Sequence, residues 1–108
     1  MDPVQVAADW GLKVAVEEFG DAARAVAAEY DPRLKTIRVN ARVLGDRCDA
    51  AGTLAACVAH ELYHHLEHIG CVRSRPGGRQ REALADAYAR RYFDLAVDPA
   101  QVRRTLER

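Results

Sequence analysis

The 108-residue sequence lacks the features of a secreted or membrane protein. Its three cysteines, Cys48, Cys57 and Cys71, are an odd number without CxxC spacing, which argues against a disulfide scaffold and favours a reducing compartment. The first residues contain neither the basic segment nor the apolar core of a signal peptide. The longest uncharged apolar run, TLAACVA, is far too short to cross a bilayer. We therefore expect a cytoplasmic protein without a membrane partner.

The chain also lacks an excess of charge of either sign. It has 16 basic and 16 acidic residues, so its formal net charge is zero. Nucleic-acid-binding proteins usually carry a basic face, and the one basic segment here, residues 71–81, is short and has no aromatic residue. A nucleic-acid partner is therefore not expected. Hydrophobic residues at 49% and charged residues at 30% are typical of a globular chain, and the length suits one domain spanning residues 1–108.

Apolar periodicity and turn residues predict an α+β fold. An N-terminal helix is predicted over residues 3–19, ended by Gly20. A β-hairpin is predicted over residues 24–40, with arms AVAAEY and LKTIRVN joined by the turn sequence DPR. Because the first arm is rich in alanine, a helical extension there is an open alternative. Three further helices are predicted over residues 49–70, 79–97 and 98–108, with loops at 45–46 and 73–78.

All four histidines fall within VAHELYHHLEH, residues 58–68. His60, Glu61 and His64 spell HExxH, and positions i and i+4 of a helix share a face, so both imidazoles can reach one metal ion. Glu61 lies between them and is predicted to act as a general base on a water at the metal. The alternative interpretation is a solvated, histidine-rich helix face that binds metal only adventitiously.

A catalytic zinc site needs a third protein ligand and an open position. A metzincin would need a histidine at position 70, which is Gly70 here, and His68 lies about 12 Å from His60 along the helix axis. On the following helix, Glu82 and Asp86 share one face. We predict Glu82 as the third ligand and Asp86 as the acceptor of a free ring N–H from a ligating histidine. The alternative for this pair is an ordinary charged face.

Other side chains are candidates for contacting the substrate or the oxyanion: His68, Tyr63 and Tyr88, with His65 and Tyr92 as weaker choices. Cys57 lies one turn before the motif and could supply a thiolate ligand, although a small buried core residue is the favoured interpretation. The segment 98–108 could pack across the cleft and restrain activity.

The order of these motifs resembles the ImmA/IrrE-type zinc peptidase domain of bacteria and mobile elements, in the gluzincin class. That family has a strand ending in asparagine, a helix with AHELGHxxLH, and then a helix led by a glutamate. The matching residues are Asn40, Ala59, His60, Glu61, Leu62, His64, His68, Glu82, Ala85 and Ala89, with Asp86 for an asparagine and Tyr88 for a phenylalanine. Tyr63 replaces the glycine of the family pattern, and Glu67 replaces an apolar residue. The resemblance covers residues 24–96.

The resemblance implies a very small, stand-alone zincin-like metallopeptidase domain. Zinc would be held by His60, His64 and Glu82, with Glu61 as the catalytic base, and a protein or peptide would be the substrate of endoproteolytic cleavage. The alternative is a zinc-binding protein-interaction module without useful hydrolytic activity. The sequence predicts no particular oligomeric state.

Overall fold

The structure, a computed structural model, describes residues 1–45, 48–74 and 77–106. Parts of both predicted loops, at 46 and 75–76, and the last two residues of the final predicted helix lie outside the described residues. The described residues form an α+β fold, as predicted. The helices are α1 (Pro3–Asp9), α2 (Ala41–Leu44), α3 (Ala50–His68), α4 (Gly78–Tyr92) and α5 (Pro99–Leu106), with a short 3-10 helix at Asp21–Ala23. The strands are β1 (Lys13–Glu17), β2 (Ala28–Asp31) and β3 (Thr36–Asn40).

The predicted hairpin is confirmed as β2 and β3, which pair antiparallel. The carboxylate of Asp31 accepts hydrogen bonds from the backbone N–H groups of Arg33 and Leu34, which closes the turn between the two strands. Ile37 and Val39 of β3 are fully buried. β3 is the central strand of the sheet, because it also pairs in parallel with β1.

The predicted N-terminal helix over 3–19 is wrong beyond Asp9. α1 begins where Asp2 accepts a hydrogen bond from the Val4 N–H, and it ends before Gly11, whose φ of 77° suits only glycine well. The next residues form β1 instead of more helix. The apolar residues of this segment fit both a helical period and the alternation of a strand. Pairing with β3 favours the strand.

The long helix α3 is confirmed, and the next helix is shorter than predicted. Gly70 follows α3 with a φ of 79°, and its N–H bonds the Glu67 carbonyl, so the glycine ends the helix as predicted. α4 stops at Tyr92 because Phe93 takes an extended backbone and buries its ring in the core. α5 begins as predicted, with Asp98 accepting from the Ala100 N–H.

α3 is the central element of the fold, and its position determines where the site lies. It contacts β2, β3, α1, α4 and α5. Val58 and Leu62 of α3 are fully buried, and Val102 and Leu106 of α5 belong to the same core. The remaining face of α3 carries the HExxH residues and is open to a cavity bounded by β2, α4 and α5.

Candidate metal centre

The two motif histidines and Glu82 converge on one point between α3 and α4. His60 Nε2 lies 2.6 Å from Glu82 Oε2, and His64 Nε2 lies 3.4 Å from Glu82 Oε1. The spacing of i and i+4 on α3 brings the two rings 5.2 Å apart, edge to face. Two imidazole nitrogens and a carboxylate therefore share a small volume at the wall of the cavity.

Glu61 lies beside this point. The ligand atoms of His60, Glu61 and His64 all lie within 4.8 Å of one another, so this group could hold a metal ion. The Glu61 Oε2 atom is 3.6 Å from His60 Nε2, further than the nearest oxygen of Glu82. Glu61 is 5% exposed and lines the cavity. Its carboxylate is thus a second oxygen donor near the imidazoles.

The outer nitrogen of His60 bonds Asp86. The Nδ1–Oδ1 distance is 2.7 Å, and both residues are buried. Arg103 of α5 donates to both Asp86 oxygens, at 2.9 and 2.6 Å. A carboxylate only accepts hydrogen bonds, so His60 Nδ1 carries a proton that it donates to Asp86. Nε2 faces Glu82 and, without a metal ion, donates to that carboxylate as well.

The outer nitrogen of His64 has an equivalent partner that the sequence analysis missed. His64 Nδ1 lies 2.8 Å from Glu67 Oε1, and Glu67 in turn accepts hydrogen bonds from the guanidinium of Arg81. Glu67 is three residues after His64, a spacing that places both side chains on one helix face. The sequence could have indicated Glu67 through that spacing. No sequence pattern indicates the roles of Arg81 and Arg103, because their contacts depend on how α4 and α5 pack on α3.

The charges around the site shift the pKa values of its members. Burial alone would lower the pKa of His60, but its hydrogen bonds to Asp86 and Glu82 and the nearby Glu61 raise it to about 9. Hydrogen bonds to His60 and His64 lower the pKa of Glu82. Burial raises the pKa of Glu61, against the opposing effect of the two histidines. Without a metal ion, the carboxylates therefore favour an extra proton on the imidazoles. The site thus stabilises positive charge.

The cavity beside these residues has a volume of about 600 Å³. The segment 25–30, which contains most of β2, also lines this cavity. β2 is an edge strand of the sheet, and among the described residues no strand pairs with its outer side. The site thus opens onto an edge strand of the sheet.

The predicted substrate contacts have separate positions. His68 is exposed and lines the cavity. Tyr63 and Tyr88 pack on each other, with ring centroids 5.9 Å apart, and Tyr63 also contacts the His64 ring. Tyr92 is largely exposed. His65 is buried and bonds the Tyr30 hydroxyl, so it is a packed residue outside the convergence point.

Cys57 and the C-terminal segment are part of the structural frame. Cys57 is buried, and burial together with the Glu61 charge raises the pKa of its thiol to about 12. A thiolate ligand is thereby disfavoured. Residues 99–106 form α5, which contributes Val102 and Leu106 to the core and Arg103 to Asp86. The segment therefore supports the site, in addition to lining the cavity.

The comparisons with family models, curated proteins and solved structures find no match to this chain. The resemblance to the ImmA/IrrE-type domain stays a prediction. The order of elements on which it depends is present: β3 ends at Asn40, α3 carries His60 and His64, and α4 carries Glu82. The three cysteines are free, and no helix among the described residues is both long and apolar enough to cross a membrane.

Proposed function

We propose that this chain is a zinc-dependent endopeptidase of the ImmA/IrrE-like gluzincin type. The observation that carries the proposal is the convergence of His60, His64 and Glu82 beside the buried carboxylate of Glu61, at the wall of a cavity. The three free cysteines support a cytoplasmic location.

The residues present fit a zinc ion. Two imidazole nitrogens and one carboxylate are a common donor set of catalytic zinc sites, which keep a fourth position open. The carboxylates that hold the outer nitrogens of His60 and His64 leave both Nε2 atoms directed at Glu82. Zinc bound there would supply a Lewis acid and lower the pKa of a bound water to about 7.

Glu61 is the general base in this proposal. Its buried carboxylate, 3.6 Å from His60 Nε2, takes a proton from the attacking water and then gives it to the leaving amine. Burial raises the pKa of Glu61 above its usual range, which makes it a better proton acceptor. His68, at the cavity wall, is the best placed of the candidate substrate contacts.

The free edge of β2 supports a peptide substrate. A chain in extended conformation can add to an edge strand through backbone hydrogen bonds, with its side chains alternating between the two faces. β2 and Glu61 line the same cavity, so a peptide held on β2 would run past the convergence point. The alternative, a zinc-binding interaction module without hydrolysis, gives no role to a buried carboxylate beside the ligands.

The test combines metal content with cleavage of an unbiased peptide library, read by mass spectrometry. Wild type should bind one zinc per chain and cleave internal bonds, and Glu61→Gln should keep the metal and lose about 100- to 10,000-fold in rate. Equal cleavage by the two proteins would contradict the role of Glu61 as the general base. Metal binding with no cleavage in either protein would leave the interaction module as the better description. Absence of metal binding would remove both.

A further inference from the structure

We propose that Glu67 and Arg81 are positioning residues that hold His64 and the start of α4 in the geometry needed for metal binding. This inference rests on the metal site of the proposed function. It concerns residues of this chain that neither the HExxH motif nor the predicted ligand set includes.

Glu67 determines which nitrogen of the His64 ring faces the convergence point. Glu67 Oε1 lies 2.8 Å from His64 Nδ1, and an ionised carboxylate only accepts hydrogen bonds. The Nδ1 atom must therefore carry a proton, so in the neutral ring that binds a metal ion the lone pair lies on Nε2. That atom is 3.4 Å from Glu82 Oε1, at the convergence point. Glu67 thus selects both the tautomer and the orientation that a ligand requires.

Arg81 holds the Glu67 carboxylate in place. The Glu67 side chain is 4% exposed, whereas that of Arg81 is 41% exposed, so the carboxylate is the buried partner of the pair. The Arg81 Nε and Nη2 atoms donate to the two oxygens of Glu67, each at 3.1 Å. This two-point contact fixes the plane of the carboxylate and compensates its burial.

The Glu67–Arg81 pair connects the two helices of the site. Glu67 is in the last turn of α3, and Arg81 is in the first turns of α4, directly before Glu82. The ion pair therefore joins the ends of the two helices that carry the three ligand candidates. His60 has a corresponding support in Asp86 and Arg103, so each imidazole is oriented by a carboxylate that an arginine holds.

The experiment measures zinc affinity by competition with a chromophoric chelator, and the visible spectrum of the Co²⁺ form. Glu67→Ala should weaken zinc binding by about 10- to 100-fold, the usual cost of losing an outer partner of a ligating histidine, and should change the Co²⁺ spectrum. Glu67→Gln keeps an acceptor for the Nδ1 proton and should restore most of the affinity and the spectrum. Arg79→Ala, an exposed arginine on the same helix, is the matched control and should resemble wild type.

The double variant Glu67→Ala/Arg81→Ala tests whether Arg81 acts through Glu67. If it does, Arg81→Ala weakens binding in the wild-type chain and adds little once Glu67 is gone. Thermal unfolding of each metal-free variant separates a lost fold from a lost orientation. Unchanged zinc affinity and Co²⁺ spectrum in folded Glu67→Ala would overturn the inference and leave the proposed function intact. Tight metal binding without hydrolysis would overturn the proposed function and leave the inference intact. A wild type that binds no metal would overturn both.

Discussion

The four histidines of α3 lie within nine residues, and two environments distinguish His60 and His64 from His65. His60 and His64 face carboxylates through both ring nitrogens, and these hydrogen bonds raise their pKa values despite burial. His65 bonds a tyrosine hydroxyl, and burial, with the nearby charges of His68 and Lys35, lowers its pKa. Sequence proximity therefore says little about the chemical role of each ring.

The difference lies in the elements that each helix face meets. The face of His60 and His64 meets α4 and α5, which supply Glu82, Asp86 and an arginine. The face of His65 meets the aromatic rings of Tyr30 and Trp10, at centroid distances of 5.4 and 5.9 Å. An imidazole among carboxylates can exchange a proton for a metal ion, whereas one among aromatic rings is more stable neutral.

The largest expected effect is the difference in zinc affinity between removing His64 and removing His65. His64→Ala should weaken zinc binding well beyond the ~100-fold that loss of an outer partner costs, because a ligand itself is lost. The adjacent His65→Ala is the matched control, and it should bind zinc within a factor of about two while losing stability through its packing. Chelator competition measures both affinities. Equal losses in the two variants would mean that the comparison between the two faces is wrong.

The next effect concerns the arginine on α5. Arg103→Ala should weaken zinc binding by about 10- to 100-fold, because Asp86 loses the contact that holds it against His60. Arg104→Ala, exposed on the same helix, should leave zinc affinity unchanged. A rise in peptide cleavage on Arg103→Ala would instead favour the sequence-based hypothesis that the C-terminal segment restrains activity.

Truncation of the same segment separates these interpretations further. Deleting residues 98–108 removes Val102 and Leu106 from the core, at a cost of about 1.5–3 kcal/mol for each side chain. We expect the truncated chain to unfold rather than to gain activity. Circular dichroism and peptide cleavage measured on the same sample would show which of the two occurs.

The sequence was sufficient for the parts of the molecule that depend on local spacing. The hairpin, α3 and the start of α5 follow from turn residues, apolar period and caps, and each is confirmed. His60 and His64 needed only their i, i+4 relation on one helix. Glu82 and Asp86 share a face of α4 by the same relation, and the structure brings that face to α3.

The predictions that were wrong or missing concern features that depend on contacts between residues distant in the sequence. β1 was predicted as helix because its five residues are too few to distinguish the alternation of a strand from a helical period. Only its pairing with β3 favours the strand. The end of α4 depends on the burial of Phe93 in a core built from other elements. Arg81 and Arg103 are two arginines among many, and no local pattern distinguishes a surface cation from one that holds a buried carboxylate.

Proton release should also differ between the two histidine faces. The pKa of His60 is raised to about 9, above its ordinary 6.5, so at pH 7.5 the metal-free protein holds a proton there that must leave before zinc binds. Zinc binding at pH 7.5 should thus release more protons from wild type than from Asp86→Asn, in which the ring has lost a carboxylate partner. Calorimetry in buffers of different ionisation enthalpy measures this number. His65→Ala should match wild type because the lowered pKa of His65 leaves that ring neutral at this pH. Equal release from wild type and Asp86→Asn would mean that Asp86 does not raise the pKa of His60.

The smallest expected effect is confined to the aromatic face. Tyr30→Phe removes the hydroxyl that lies 2.7 Å from His65 Nδ1 and leaves a mostly buried ring nitrogen without that partner, at a cost of about 1–2 kcal/mol in the free energy of unfolding. Urea denaturation of the metal-free protein measures the cost, with Tyr92→Phe, largely exposed, as the control. Zinc affinity should stay within a factor of about two, since His65 lies outside the convergence point. A tenfold loss of affinity in Tyr30→Phe would mean that the aromatic face and the metal face act as one unit, with His65 transmitting strain along α3 to His64.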